Sequence, residues 1–328
     1  MAGAGPAAGD GPGGAAQNGP VGGTESGARV EGSKGFTRAQ SQRLAELRLR
    51  GSVPDEAFAD AAERDRVFEE RHRVLLEENL ARLADLRAVR RRPLVRSLEA
   101  SLVERLTSLG FVEVVTPAFV GRGALEKLGL DENHALWRQI FWVDAQRCLR
   151  PMLAPNLYQL LSHLQRLWPL PVRIFEVGSC FRKESKGAQH LTEFTMLNLV
   201  ELGPEGPASA RLEELAHQVL DPLDLAYELR SKESAVYGAT IDIEWEGLEL
   251  ASGVVGPHTL DERWEITDPW AGWGFGLERL AMAREGSAQI RRFGRSLVYV
   301  DGARLNVQGD ARHRFRGDER GGGGGVDG

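Results

Sequence analysis

PVRIFEVGSCFRKESKGAQHLTEFTMLNLVE, residues 171–201, reads as two strands joined by a polar turn. Residues 172–184 are rich in β-branched and aromatic side chains, 185–189 carry Lys186 and Gly187, and 191–201 are apolar again, the pattern of a β-hairpin. Alternation then sorts the side chains. Cys180, Arg182 and Glu184 share one face of the first strand, and Phe194, Met196, Asn198 and Val200 share one face of the second. If the two faces coincide, one surface presents a guanidinium, a carboxylate, an aromatic ring and an amide. A guanidinium grips phosphate bidentately, a carboxylate accepts from an exocyclic adenine amine, and an aromatic face stacks on a purine, so the functional reading is a nucleotide site with a substrate pocket beside it. Taken alone, the hairpin reads more readily as a solvated charged face whose ion pairs contribute roughly 0 to 1 kcal/mol each, and it is motifs elsewhere that reverse the balance.

Upstream, residues 1–35 hold 12 glycines and too little apolar surface to offset the entropy of ordering, which predicts a disordered tail. Thr37 is a candidate N-cap for a helix over 38–50 closed by Gly51. A longer helical pattern follows over 55–89, so 36–92 is expected to form a small helical region before the main domain. Its end is crowded by Arg87, Arg90, Arg91, Arg92 and Arg96. Such a cluster complements the helix macrodipole, or it contacts a phosphate backbone; the second reading makes Arg90, Arg91 and Arg92 candidate RNA contacts. Pro93 suits a first helical turn, Leu94, Leu98, Leu102, Leu106 and Leu109 recur on one face, and Gly110 stops the helix. Strands are expected over 111–116, ending at Pro117, and over 139–143. A short helix within 147–161 then places Ala154, Leu157, Tyr158 and Leu161 on one side, as core or as the wall of an apolar pocket.

Downstream, 210–220 predicts a helix and 237–245 and 248–255 predict strands. Glu249 and Ser252, three apart, fall on opposite sides of a regular strand, but a bulge at the small residues 251–253 would bring both to one side. A carboxylate and a hydroxyl aimed at a phosphate suit Mg2+, which prefers hard oxygen ligands and keeps several waters. WAGWGFGLERL, 270–280, is a glycine-rich strand end entering a helix that carries Arg279; glycines let a backbone approach a nucleotide closely.

Composition narrows the classes. With 328 residues, 42% of them hydrophobic, the chain can bury a sizeable core. No apolar run reaches the ~18 to 20 residues of a membrane span, and the N-terminus has no signal-peptide pattern, so a cytoplasmic protein with no membrane partner is expected. Cys148 and Cys180 lack CxxC spacing and no histidine pair stands at zinc-ligand spacing. The net charge of −6 does not favour nucleic acid, although 36 of the 41 basic residues are arginine, the better phosphate binder.

The helix, strand and proline over 93–117, then Phe181, Arg182, Lys183 and Glu184, then Gly274 to Arg279, resemble in order the three signature motifs of the class II aminoacyl-tRNA synthetases. RPMLAPNLY at 150–158, FRKES at 181–185, TMLNL at 195–199, VYG at 236–238, VVGP at 254–257 and GFGLERL at 274–280 are similar to the pyrrolysyl-tRNA synthetase family, over 36–306 in all. The resemblance implies an α+β fold: an antiparallel sheet flanked by helices over 93–306, with the helical region 36–92 before it and a disordered tail at 307–328 after it. It further implies the compact form without a separate N-terminal tRNA-binding domain, and a homodimer. The implied activity is activation of pyrrolysine, or of bulky acylated lysine analogues, with ATP and Mg2+, followed by transfer to the cognate tRNA.

Roles follow by resemblance at the matching positions. Arg182 holds the α-phosphate, Glu184 the adenine amine, Phe194 the adenine ring, His190 and Arg279 the outer phosphates, with Leu191 beside them, and Glu249 and Ser252 serve Mg2+. Ala154, Leu157, Tyr158, Leu161, Val200 and Trp270 line the amino-acid pocket, Asn198 reads the side-chain amide and Tyr237 closes over the ring. Arg182 and Arg279 are the catalytic pair. Trp273 departs from the family's small residue and either narrows the pocket floor or points into core; a synthetase for another amino acid is the alternative it raises, and a catalytically silent RNA-binding paralogue is a second.

Overall fold

The computed structural model describes residues 35–183, 190–234 and 236–307, so the expected tails lie outside the described residues except at their inner edges. Helix α1 (Arg38–Leu47) begins with a reciprocal capping box: Gln40 N donates to Thr37 Oγ1 (3.2 Å) and Thr37 N donates to Gln40 Oε1 (3.0 Å). The expected end at Gly51 is corrected, because Arg48 already turns extended while its N–H still reaches Leu44 O. Helix α2 (Ala61–Asp85) starts six residues later than 55, where the Asp60 carboxylate accepts from Glu63 N at 2.8 Å. A π-turn (Leu86–Arg90) follows, and Arg91 at φ 58° breaks the rod. Pro93 is the N-cap of α3 (Leu94–Ser108), whose Leu98, Leu102 and Leu106 are buried, and Gly110 at φ +83° turns the chain out of it.

Strand β1 (Val112–Glu113) is shorter than expected: the Thr116 amide and hydroxyl turn instead to the buried Glu176 carboxylate (3.1 and 2.7 Å). A two-stranded sheet of β2 (Phe119–Gly121) and β3 (Arg147–Leu149) encloses α4 (Arg122–Lys127). The strand expected over 139–143 does not form. Ala135–Gln139 is a 3-10 turn, Gln139 O accepts from Lys183 N at 2.7 Å, and Trp142 makes only an isolated bridge with Cys148.

Next come α5 (Ala154–Leu164), the hairpin β4 (Val172–Phe181) and β5 (Glu193–Leu202), and α6 (Ala208–Leu220). Strands β6 (Glu228–Ser234), β7 (Gly238–Trp245) and β8 (Leu248–Gly256) form a meander, and β9 (Trp270–Gly276) runs into α7 (Leu277–Arg284). A small hairpin of β10 (Tyr299–Val300) and β11 (Ala303–Arg304) ends the described chain. The seven-stranded sheet runs β1-β4-β5-β9-β8-β7-β6, parallel between β1 and β4 and antiparallel elsewhere, which is the α+β core expected. One face packs Leu197, Leu199, Trp273 and Phe275 with α3, α6 and α7. The other packs Ile174, Val200 and Trp270 with α5, and it holds the pocket. Edge strand β6 was not expected. Its ELRSKES alternates charge rather than apolarity, and its Arg230 and Lys232 pair with Glu244 of β7 (3.2 and 3.0 Å).

Candidate active site

Register decides whether the two hairpin faces meet. Cys180 pairs with Phe194, Gly178 with Met196, Glu176 with Asn198 and Ile174 with Val200, so the even-numbered residues of both strands share one face. Arg182 continues it past the strand end: its N–H donates to Thr192 O, its Nε donates to Pro151 O at 2.9 Å, and its guanidinium lies 5.2 Å from the Phe194 ring centroid. One edge of the guanidinium is thus anchored and the fork is held against an aromatic face. Beneath this face the buried pair Arg150 and Glu176 (2.7 Å) ties β4 to Thr116, and Gly178 leaves the room that the Arg150 guanidinium fills.

A cavity of about 320 Å3 opens on this face. At one end stand Arg182, His190, Leu191, Phe194, Glu249, Ser252 and Arg279; at the other Ala154, Leu157, Tyr158, Leu161, Asn198, Val200, Tyr237 and Trp270. Every described residue expected in the nucleotide and amino-acid sites therefore borders one cavity, while Glu184 lies outside the described residues. The α5 stripe is both core and wall: Leu157, Tyr158 and Leu161 are buried and face the cavity.

The bulge forms, one step earlier than expected. Ile243 pairs with Ala251 but Glu244 pairs with Glu249, leaving Leu250 as the extra residue. Glu249 and Ser252 thereby reach the same side, and both border the cavity. Arg279, in the first turn of α7, donates to Glu249 O (3.0 Å) and Glu249 Oε1 (3.1 Å). The neighbouring Glu278 is 2% exposed and accepts from Thr195 N and Oγ1, which fixes the start of α7 against β5; burial raises its pKa. Among the described residues no group of three His, Cys, Asp or Glu could hold a metal ion unaided. The carboxylate and hydroxyl of Glu249 and Ser252 are hard oxygen donors, and they fit a Mg2+ that takes its remaining ligands from phosphates and water.

In the deep part, Asn198 Oδ1 is buried without a hydrogen-bond partner among the described residues, and a Cβ on its cross-strand neighbour Gly274 would stand 3.3 Å from Asn198 Nδ2, so glycine there leaves the amide its space. Trp270 donates from Nε1 to Asp261 Oδ2 (2.6 Å), which fixes the indole, and it meets the Tyr158 ring edge-on at 5.9 Å. Burial, with Tyr237 and Asp261 adding to it, pushes the Tyr158 phenol far above the ordinary tyrosine range, so it stays a neutral hydroxyl. Tyr237 sits over this end, 6.0 Å from His258. Asp242, Asp261 and Glu278 were not anticipated; only Glu278, inside the GLER run, had a signal in the sequence.

Geometry bears on two readings that the sequence left open. The Trp273 indole is 1% exposed and donates from Nε1 to Leu212 O of α6 at 2.8 Å, so it points into the core face. Arg90 is engaged by Asp85 and Asp301, whereas Arg91 and Arg92 are exposed. Among the described residues no helix is long and apolar enough to cross a membrane.

The family profile for the class II tRNA synthetase core domain (F) matches residues 82–301. Two solved structures of pyrrolysyl-tRNA synthetase from Desulfitobacterium hafniense are 50% and 48% identical, with TM-scores of 0.79 and 0.77. Each alignment covers 84% of this chain, and 100% and 96% of the other. Threonine--tRNA ligase of Ralstonia nicotianae is 32% identical over 99 residues, 29% of this chain, and the phenylalanine--tRNA ligase alpha subunit of Aeropyrum pernix is 35% identical over 134 residues, 37% of it. The chain spans only 15% and 26% of the length of these two curated relatives.

Proposed function

Because the chain belongs to the class II tRNA synthetase family, and within it to the pyrrolysyl-tRNA synthetases, we propose that it activates pyrrolysine with ATP and transfers it to the cognate tRNA. The observation that carries this reading is the single cavity whose phosphate-binding end, Arg182 and Arg279, is continuous with a deep apolar end holding the unpartnered Asn198 Oδ1. An apolar wall with one open amide suits a long acylated lysine, whose own amide satisfies Asn198 and whose ring packs on Leu157, Tyr158 and Trp270. Free lysine is disfavoured there, since its ammonium would be buried without a counter-charge.

No protein nucleophile is required. The substrate carboxylate attacks the α-phosphorus of ATP, pyrophosphate leaves, and a tRNA 3′-terminal hydroxyl then takes the acyl group. Arg182 orients the α-phosphate and neutralises charge developing there, Phe194 stacks the adenine, and His190 and Arg279 take the outer phosphates; Leu191 packs beside them, and Glu184 is assigned the adenine amine. Glu249 and Ser252 would hold Mg2+, which when bound supplies positive charge to the phosphate oxygens. We assign 36–92 as the helical region and 93–306 as the catalytic domain.

A homodimer is part of the proposal. Val112, Val115 and Phe119 are exposed (46%, 89% and 53%) beside the first-motif helix α3, an apolar surface that a second copy would cover. Exposed Arg91 and Arg92 are assigned to the tRNA backbone. The alternative of a different amino acid rested on Trp273, which borders the cavity but whose indole Nε1 donates to Leu212 O on the core side of the sheet. Amino-acid-dependent exchange of pyrophosphate into ATP tests the reading: exchange with pyrrolysine or a bulky acylated lysine supports it, exchange with a standard amino acid replaces it, and no exchange in folded, RNA-binding protein favours the silent paralogue.

A further inference from the structure

We infer that Asp242 is a positioning residue for the divalent cation, acting through the Ser252 hydroxyl; this rests on the assignment of Glu249 and Ser252 to the metal. Asp242 of β7 is the direct cross-strand partner of Ser252 on β8, and it is 7% exposed. Ser252 Oγ donates to Asp242 Oδ1 at 2.7 Å. With its proton committed to Asp242, the Ser252 oxygen turns its lone pairs away from β7, toward the cavity that Ser252 borders. A hydroxyl left to rotate would spend part of its time presenting a proton to the cation.

Charge balance on this face supports the same role. Glu244 is paired with Arg230 and Lys232, and Glu249 with Arg279. Asp242 is the most buried of the three carboxylates. Among the described residues its hydrogen-bond partners are two hydroxyls, Ser252 and, at 3.4 Å, Thr240, and it makes no ion pair. A nearly buried carboxylate without a cation is unfavourable in the free protein, and a divalent ion one hydroxyl away would offset that cost. The arrangement is the outer-layer logic of metal sites, in which a carboxylate orients the group that touches the ion.

The test uses the full chain with ATP and Mn2+ as a paramagnetic probe, reading bound metal by electron paramagnetic resonance rather than by turnover. Asp242→Asn keeps an acceptor for the hydroxyl but removes the charge, and is expected to weaken Mn2+ binding to the ATP complex about tenfold, with metal-free ATP binding unchanged. Ser252→Ala is expected to weaken it similarly, and the double variant to be no worse than the weaker single variant, because both act through one hydroxyl. If Asp242→Asn does not fold, Asp242→Glu, which keeps the charge but displaces it from the hydroxyl, takes its place with the same expected loss. Wild-type Mn2+ affinity in the Asp242 variant, or losses that multiply in the double variant, would overturn the inference. A wild-type protein that binds ATP but no Mn2+ would overturn the metal site itself, and the inference with it.

Discussion

Gly253 and Trp273 face each other across β8 and β9, and the indole occupies the space that a Cβ on residue 253 would need: an added Cβ would stand 2.7 Å from two ring carbons. The large and the small residue form one packing unit on the core side of the sheet. Gly253→Ala is therefore expected to destabilise the protein by about 1 to 3 kcal/mol through overpacking. Trp273→Ala should cost about 3 to 5 kcal/mol through the cavity it leaves. The double variant should cost less than the sum of the two, measured by urea unfolding. Amino-acid selectivity in pyrophosphate exchange should be unchanged in Trp273→Phe; a changed substrate profile would show that the Trp273 indole, and not only its backbone, shapes the pocket.

Arg182 is anchored at one edge by Pro151 O and lies over the Phe194 ring, and its proposed role is to orient the α-phosphate. Arg182→Ala is expected to lose about 3 to 4 kcal/mol of transition-state stabilisation, seen in kcat/KM for activation. Arg182→Lys should recover only part, since an ammonium can neither stack nor bind in a fork. Near wild-type turnover in the alanine variant would end the assignment.

Asn198 presents a buried oxygen without a hydrogen-bond partner among the described residues. Asn198→Ala should raise KM for an amide-bearing side chain by the equivalent of about 1 to 3 kcal/mol while leaving KM for ATP in place. Equal changes in both constants would point to a general collapse of the pocket.

Within the arginine run the structure separates two roles. Asp301 accepts from Leu94 N at 2.7 Å, capping α3 from 207 residues away in sequence, and it ion-pairs with Arg90 and Arg82. Asp301→Ala is expected to cost about 2 to 4 kcal/mol of stability, because it uncaps Leu94 N and removes the buried carboxylate from Arg82 and Arg90, which keep only Glu285 and Asp85 as carboxylate partners among the described residues. Arg91→Ala and Arg92→Ala should leave the melting temperature in place, weaken tRNA binding and each lower the salt slope by about 1. An unchanged slope would remove these two residues from the interface.

Cys148 and Cys180 are free, fully buried thiols whose pKa values burial pushes up to about 11 and about 12. Folded values above the unfolded one mean a contribution that is complete below the unfolded thiol pKa and lost as pH rises. Unfolding free energy should thus fall from about pH 9 up to the folded values, by at most about 1.4 kcal/mol per pH unit per thiol. At pH 8 a thiol reagent should label neither residue until the protein is unfolded; rapid labelling of native protein would contradict their burial.

The sequence made much of the site legible because the relevant signals are local. Period 2 sorted Cys180 and Arg182 against Phe194, Met196, Asn198 and Val200, and the ladder pairs those same faces. The i, i+3, i+4, i+7 stripe on α5 was readable as a unit, though not as wall rather than core. The bulge was inferred from small residues near Ser252 and was displaced to Leu250. The strand expected over 139–143 shrank to a single bridge at Trp142: Gln139 O serves Lys183, and only Phe141 O and Val143 N bond across to Leu149 N and Arg147 O. Strand β6 was missed because an edge strand held by Arg230, Lys232 and Glu244 carries no apolar alternation.

What the chain determined by itself was the motif order, the alternating faces and the Thr37 cap of α1, all set by side chains within a few positions of one another and by backbone geometry that repeats every 2 or 3.6 residues. The direction of the Trp273 indole, the withdrawal of Arg90 to Asp301, and the joining of Asp242 to Ser252 and of Asp261 to Trp270 were decided only in the tertiary structure. Each depends on which distant group fills a space or completes a hydrogen bond after the sheet and helices have packed. A buried donor or charge takes the partner that packing brings to it, however far away in sequence that partner lies.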